Sequence, residues 1–117
     1  MSTYQDNCLF CRIASKNAQA SIVYEDDQIV AFEDINPQAP VHILLLPRKH
    51  ISGVMGLDRE DAGLIGKIYL AAKDLAEDRN IGKGFRVVVN NGRGAGQSVD
   101  HIHFHLLGGR LFSWPPG

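Results

Sequence analysis

The sequence predicts an α+β fold: a sheet of about five strands, one long helix and a short N-terminal helix. Three observations carry that expectation. Runs rich in β-branched and aromatic residues recur at 21–25, 28–33, 41–46, 85–90 and 101–107, as strands on a packed sheet require. One stretch, opening at Asp58 and closing at Asn80, instead repeats its apolar residues at helical spacing. The chain has 117 residues, enough for one domain around a single core.

Composition narrows the function classes. Hydrophobic residues make up 44% and charged residues 21%, an ordinary globular balance. The net charge of -1 gives no reason to expect non-specific binding to nucleic acid or to an anionic membrane. No apolar run reaches membrane-spanning length. Residues 1–7 are polar, lack a signal-peptide core and are expected to be loosely ordered. The expected compartment is the cytoplasm, where thiols stay reduced. The chain 1–117 reads as a single domain without repeats or linkers.

Taken in order, Cys8-Leu9-Phe10-Cys11 opens a short helix that Asn17 could end. Its two cysteines supply half of a tetrahedral metal site, a redox pair or a buried inert pair. A thioredoxin-like motif would need a preceding strand, and only polar residues stand there. The runs 21–25 and 28–33, split by Asp26-Asp27, read as a hairpin. Asp34-Ile35-Asn36-Pro37-Gln38-Ala39-Pro40 follows as a loop, since two prolines bar helix and ladder alike. Asp34 there either caps the turn or accepts hydrogen bonds from a ribose diol, and local sequence favours the turn.

Val41-His42-Ile43-Leu44-Leu45-Leu46 is almost wholly apolar and reads as a strand covered on both faces. Pro47 ends it, and Arg48-Lys49-His50 leave the sheet. Asp58 is the expected N-cap of the long helix, with Leu64, Ile65, Ile68, Ala72, Leu75 and Ala76 as its core-facing stripe. After the strand 85–90, Asn91-Gly92-Arg93-Gly94-Ala95-Gly96-Gln97-Ser98 is either a hairpin loop or a glycine-rich cradle for an anion.

That loop leads to His101-Ile102-His103-Phe104-His105-Leu106-Leu107. Read as a strand, it places the three histidines on one face and Ile102, Phe104 and Leu106 on the other. Neighbouring imidazoles are then roughly 6–7 Å apart, and residues 101 and 105 roughly 13 Å apart. One metal ion cannot take all three, so at least one histidine has another task. If the strands 41–46 and 101–107 pair antiparallel, His42 falls near His105, and His50 is carried toward His101. The five histidines then divide into a set His42, His103, His105 and a set His50, His101, the latter at the metal end if the cysteines approach.

The triad His101-x-His103-x-His105 with two following apolar residues is the signature of the histidine triad superfamily. Ala95-Gly96-Gln97-Ser98-Val99, Leu107-Gly108-Gly109-Arg110 and the ending Trp114-Pro115-Pro116-Gly117 make the chain resemble its Hint branch, the histidine triad nucleotide-binding proteins. Phe32 to Pro40 and Pro47 to Ile51 add to the likeness, which runs from Cys8 to Gly117. The resemblance implies a histidine-triad (HIT-like) α+β fold with a mostly antiparallel sheet. It implies a homodimer joined through the long helix and an edge strand, with the tail 111–117 reaching the partner's pocket.

By the same resemblance the chain binds a purine nucleotide and hydrolyses nucleoside phosphoramidates. His103 is then the nucleophile, with His42, His105 and Ser98 beside it. Asp34 would hold the ribose and Ile35 would lie against the base. Asn90, Gly96, Gln97 and Ser98 would surround the phosphate, and Trp114 would complete the pocket. Cys8, Cys11, His50 and His101 match the ligands of a structural zinc in relatives that carry the C-x-x-C. One residue departs from the pattern: Asp100 stands where the family has an aromatic, apolar or proline residue, and either orients His101 or faces solvent.

The chemistry suits these residue types. A neutral imidazole is a nucleophile near pH 7, and a nucleotidyl-histidine splits phosphoramidate hydrolysis into two steps. Two other readings stand beside the hydrolase. One is a nucleotide-binding regulatory or scaffold protein with incidental hydrolysis. The other is a histidine-based metalloenzyme.

Overall fold

The computed structural model describes residues 4–117. The expected loose N-terminus begins in residues 1–3, which lie outside the described residues. In chain order the elements are α1 (Leu9–Ala14), β1 (Ile22–Glu25), β2 (Ile29–Glu33), β3 (Val41–Pro47), α2 (Ala62–Asp78), β4 (Phe85–Val89) and β5 (Phe104–Gly108). The strands form one five-stranded sheet in the order β1-β2-β3-β5-β4, and every neighbouring pair is antiparallel. The α+β architecture expected from the sequence is the observed one.

Strand β3 is central, and its alternation feeds two layers. Ile43 and Leu45 face α2 in a core with Ile68, Ala72, Leu75, Ala76, Ile102, Phe104 and Leu106. Leu44 and Leu46 face the other way, against Phe10, Cys11, Ile13, Val30 and Phe32 around α1. This second layer shares its sheet face with the histidines, because His42 has the parity of Leu44 on β3, while His103 and His105 oppose the parity of Phe104 and Leu106.

Local chemistry sets the element ends. The Asp26 carboxylate accepts from the N–H groups of Gln28 and Ile29, both at 2.8 Å, and so closes the β1–β2 hairpin. Arg48 then ties three segments together, donating to the carbonyls of Asp26 (2.7 Å) and Ala14 (2.6 Å) and to the Glu25 carboxylate (2.9 Å). It thereby fixes the end of α1 against the start of the segment that carries His50.

Four boundaries differ from the expectation. Helix α1 ends at Ala14, before Asn17, because Lys16 takes a left-handed φ of 68°. Strand β3 includes Pro47, paired with Ile29. Asp58 opens a 3-10 turn over Arg59–Asp61 that runs into α2, and its N–H donates to the Asp61 carboxylate at 2.9 Å. The triad segment pairs only from Phe104 onward, so His101, Ile102 and His103 precede the strand. At the far end of β5, a Cβ on Gly108 would lie 2.5 Å from Ile81 Cδ1, so glycine lets the strand pass beneath the loop that follows α2.

Leu45 is fully buried at the middle of the central strand. Leu45→Ala is expected to destabilise the fold by about 2–5 kcal/mol, read as a lower midpoint in urea unfolding with an unchanged slope.

Candidate active site and adjoining metal cluster

The site is built by β3 and β5. Leu44 pairs with His105 and His42 with Leu107, which brings the two imidazoles together. His42 Nδ1 accepts from the Gln38 backbone N–H at 3.0 Å. In a neutral ring the proton therefore sits on Nε2. That N–H faces His105 Nδ1 at 2.9 Å and the Asp34 carboxylate at 3.3 Å. His105 thus accepts through Nδ1 and keeps Nε2–H as a donor.

His103 is assigned with equal clarity. Its Nδ1 lies 2.7 Å from the His101 carbonyl, which can only accept, so Nδ1 carries the proton and Nε2 keeps its lone pair. The ring is 7% exposed. Phe10 meets it edge-on at 4.9 Å, and His105 lies 5.2 Å away, centroid to centroid. Leaving that Nδ1–H without its carbonyl would cost about 1–3 kcal/mol.

Burial dominates the electrostatics. It pushes the proton affinity of His42 and His103 below the ordinary value, with the Asp34 carboxylate opposing in both. His105 is pushed to about 4, by burial first and then by His103 and His42. The rings are neutral near pH 7, as a nucleophilic imidazole must be.

Beside them lies a cavity of about 970 Å³. Leu9, Ile13, Ile22, Phe32 and Ile35 give it an apolar lining, and Lys16, Glu33 and Asp34 are its charged groups. Asp34 reaches His42, and Phe32 packs on Phe10 at 5.5 Å, so the cavity adjoins the histidines. Asp34 serves the turn as well: its carboxylate accepts from the Asn36 N–H at 2.8 Å. Ile35 is 97% exposed. Leu9, Ile13 and Ile22 were not singled out from sequence, where they look like the inward face of a short helix and strand.

The glycine-rich loop is more committed than its sequence suggests. The N–H groups of Gly96 and Gln97 donate to Arg93 and Gly92 carbonyls at 3.0 and 3.1 Å. The buried Gln97 side chain accepts from Gly92 N–H (2.8 Å) and donates to the Ser52 (2.7 Å) and Val99 (3.0 Å) carbonyls. Gly96 turns the chain with a φ of 91°. Ser98 remains exposed, bordering a smaller cavity with Cys8, His50 and Asp100. Asn90 is half-buried at the end of β4. Asp100 pairs with Arg93 at 3.1 Å and is 70% exposed, so it faces solvent and does not orient His101. Trp114 is exposed on a tail held by Arg86, whose guanidinium donates to the Ser113 and Pro116 carbonyls.

The second cluster sits behind His103. Cys8, Cys11, His50 and His101 present donor atoms that all lie within 4.8 Å of one another. His50 Nδ1 is 3.2 Å from Cys11 Sγ, and His101 Nδ1 is 3.4 Å from Cys8 Sγ and 3.5 Å from Cys11 Sγ. A tetrahedral ion with two sulfur and two nitrogen ligands has S···N edges of about 3.5 Å, so the geometry fits a metal. The second shared requirement is a free lone pair. His101 meets it, because its Nε2–H donates to the Pro47 carbonyl at 2.7 Å. Burial pushes the Cys11 thiol up, and a bound cation would reverse this by stabilising the thiolate. Asp34, His42 and His105 also lie close enough to hold an ion. There the Gln38 N–H occupies His42 Nδ1 and leaves a proton on Nε2, which argues for a hydrogen-bond relay.

Comparison with known proteins now decides the family. The family described as "Scavenger mRNA decapping enzyme C-term binding" matches residues 7–112. An HIT-like protein of Synechocystis is 50% identical over 112 residues, covering 96% of this chain and 98% of that one. The chain belongs to the HIT family. An HIT family hydrolase from Legionella pneumophila has the same fold, with a TM-score of 0.93 and 48% identity over 95% of this chain and all (100%) of that one. A second HIT family hydrolase, from Clostridium thermocellum, gives 0.90 and 43% over 93% of this chain and 96% of that one. The triad that names the HIT family is the one whose tautomers are assigned above.

The folded His105 titrates at about 4 against an ordinary 6.5. The unfolded chain therefore binds more protons between these values, and stability rises with pH across that window. Its contribution is complete above 6.5 and is lost as pH falls toward 4. His101, also pushed to about 4, adds a loss of the same sign, so thermal unfolding is expected to show this acid-side loss and His105→Gln to reduce it in part.

Proposed function

We propose that the chain is a purine nucleotide-binding hydrolase that cleaves the P–N bond of nucleoside 5'-phosphoramidates, of the adenosine 5'-monophosphoramidase type. The observation that supports this most is His103: Nδ1–H bound to the His101 carbonyl, Nε2 unprotonated, and an apolar cavity with a carboxylate beside it. The cavity's apolar lining suits a base, and the Asp34 carboxylate, on the side that reaches His42, suits a ribose diol.

His103 Nε2 attacks phosphorus, and the P–N bond breaks as the amine takes a proton. The proton comes from the His42–His105 pair, protonated when the anionic substrate is bound: His105, whose ring lies 5.2 Å from that of His103, gives it up from Nε2 and the pair returns to neutral. Water then attacks the nucleotidyl-histidine, its proton returns to the His42–His105 pair, and the P–N bond to His103 breaks, releasing the nucleoside monophosphate and restoring neutral His103. Within the expected phosphate set, the side chains of Asn90 and Ser98 make no hydrogen bond among the described residues, whereas Gly96 and Gln97 are committed to the loop, so Asn90 and Ser98 are the ones free to bind the phosphoryl oxygens. The matched family's description names a decapping enzyme. A cap is also a nucleotide phosphate compound, so the leaving group is what experiment must separate.

The reading includes a zinc ion on Cys8, Cys11, His50 and His101, the donor set of structural zinc sites. When bound, zinc cross-links α1 to the segment after β3 and to the start of the triad. It also includes a homodimer. β4 is a sheet edge, and Tyr69 and Leu70 on α2 are 47% and 62% exposed, surfaces a second copy would cover while Trp114 reaches across. The reducing cytoplasm suits thiols that must stay available to a metal.

The test is intact-mass spectrometry after an acid-free quench with an adenosine phosphoramidate. Wild type is expected to gain an adenylyl mass and release amine, while His103→Ala binds AMP without either. Turnover by both proteins would remove His103 as the nucleophile. Metal analysis is expected to give one zinc per chain, retained in His103→Ala and lost in Cys8→Ser. Loss of the ion from His103→Ala instead would mark a catalytic metal.

A further inference from the structure

The carbonyl that fixes His103 belongs to a segment no β-ladder holds. Pairing of β5 begins at Phe104, opposite Leu45 and Val89, so residues 101–103 need other anchors. The Ile102 N–H donates to the Ile51 carbonyl at 2.7 Å. The Ile102 side chain is buried in the core under α2, and the other anchors act through the His101 ring, whose Nε2–H meets the Pro47 carbonyl and whose Nδ1 faces the two thiols. The sulfurs therefore meet the only ring nitrogen of His101 that the Pro47 carbonyl leaves open, and what they hold bears on the placement of its carbonyl.

The same thiols control the flank of His103. Phe10 stands between Cys8 and Cys11 on α1 and is 5% exposed. Its ring meets His103 at 4.9 Å and an interplanar angle of 87°, and meets His101 at 6.2 Å. Helix α1 has only six residues, too short to be stable unaided. The Cys11 N–H donates to Cys8 Sγ at 3.3 Å, so the helix start is also built on a sulfur. One side of His103 is thus held by the His101 carbonyl and another by the Phe10 ring, and both lead back to the same four ligands.

We propose that Phe10 and the Cys8–Cys11–His50–His101 cluster form a clamp that holds the His103 ring with Nε2 aimed outward, Phe10 acting as a positioning residue. This rests on His103 being the nucleophile, but the clamp itself can be read without any substrate. A ring free to rotate about its side-chain bonds would lose the His101 carbonyl and exchange tautomers.

The experiment uses full-length protein with 15N-labelled histidine, as zinc-loaded wild type, chelator-treated wild type and zinc-loaded Phe10→Leu. Leucine keeps an apolar side chain at position 10 but removes the flat ring. Long-range 1H–15N spectra are expected to show a single Nδ1–H tautomer for His103 in the loaded wild type and averaged ring signals in the other two. On a phosphoramidate, kcat is expected to fall roughly tenfold or more in both, with AMP affinity unchanged. An unchanged His103 tautomer in folded Phe10→Leu overturns the clamp, and so does a changed tautomer with an unchanged kcat. If chelation unfolds the protein, the loaded Phe10→Leu variant decides alone. Failure of the wild type to turn over phosphoramidates overturns the hydrolase reading, and the spectra still decide the clamp.

Discussion

A neutral imidazole has one donor and one acceptor, and the buried histidines here meet protein groups that settle which nitrogen is which. The hydrogen bond from His103 Nδ1 to the His101 carbonyl is the centre of this arrangement. It leaves a lone pair on the outward nitrogen of His103, while the Gln38 N–H bound to His42 turns the His42 Nε2–H toward His105 Nδ1 and so leaves the proton of His105 on its Nε2. Two like side chains, 5.2 Å apart where His103 meets His105, thus present opposite polarity. Among the described residues no buried side-chain nitrogen or oxygen lacks a partner, so the pattern is satisfied throughout.

The sheet makes this arrangement possible because its two faces have different work. The face toward α2 is filled by aliphatic side chains and carries most of the apolar burial. The opposite face can then hold histidines, two cysteines and a cavity with only a short helix to cover them. Arg48 and Arg86 do for the margins what the core cannot, the first pinning α1 to the hairpin and the second holding the tail at the edge strand.

Much of this was legible in the sequence because strict alternation has one geometric meaning. The period of two in 101–107 separated the histidines from Ile102, Phe104 and Leu106, and antiparallel pairing put His42 beside His105 and His50 beside His101. What alternation could not show was where pairing stops. His101 to His103 keep the alternation without belonging to the ladder, since their register is set by one backbone bond to Ile51 and by side-chain anchors. Nor could the loop 91–98 be read from its glycines. Gly96 and Gln97 looked like open donors to an anion, but their N–H groups close the loop on itself, and the Gln97 amide braces it from inside. The wall formed by Leu9, Ile13 and Ile22 escaped notice because a cavity lining and a core face have the same composition.

Burial and an anionic ligand pull these rings in opposite directions. Desolvation holds His105 near 4, so without a nearby anion the relay holds no extra proton at neutral pH. Asp34 already opposes desolvation at His42, His103 and His105, though it does not overcome it. On the phosphoramidate reading, a phosphoryl group beside His103 adds a second negative charge within reach, and an opposite charge within about 4–6 Å favours the protonated ring. The proton would settle on the His42–His105 pair in preference to His103, whose outward lone pair is engaged with phosphorus. The charge of the substrate would then create the acid its own leaving group needs, one ring away from the nucleophile, while the nucleophile stays neutral.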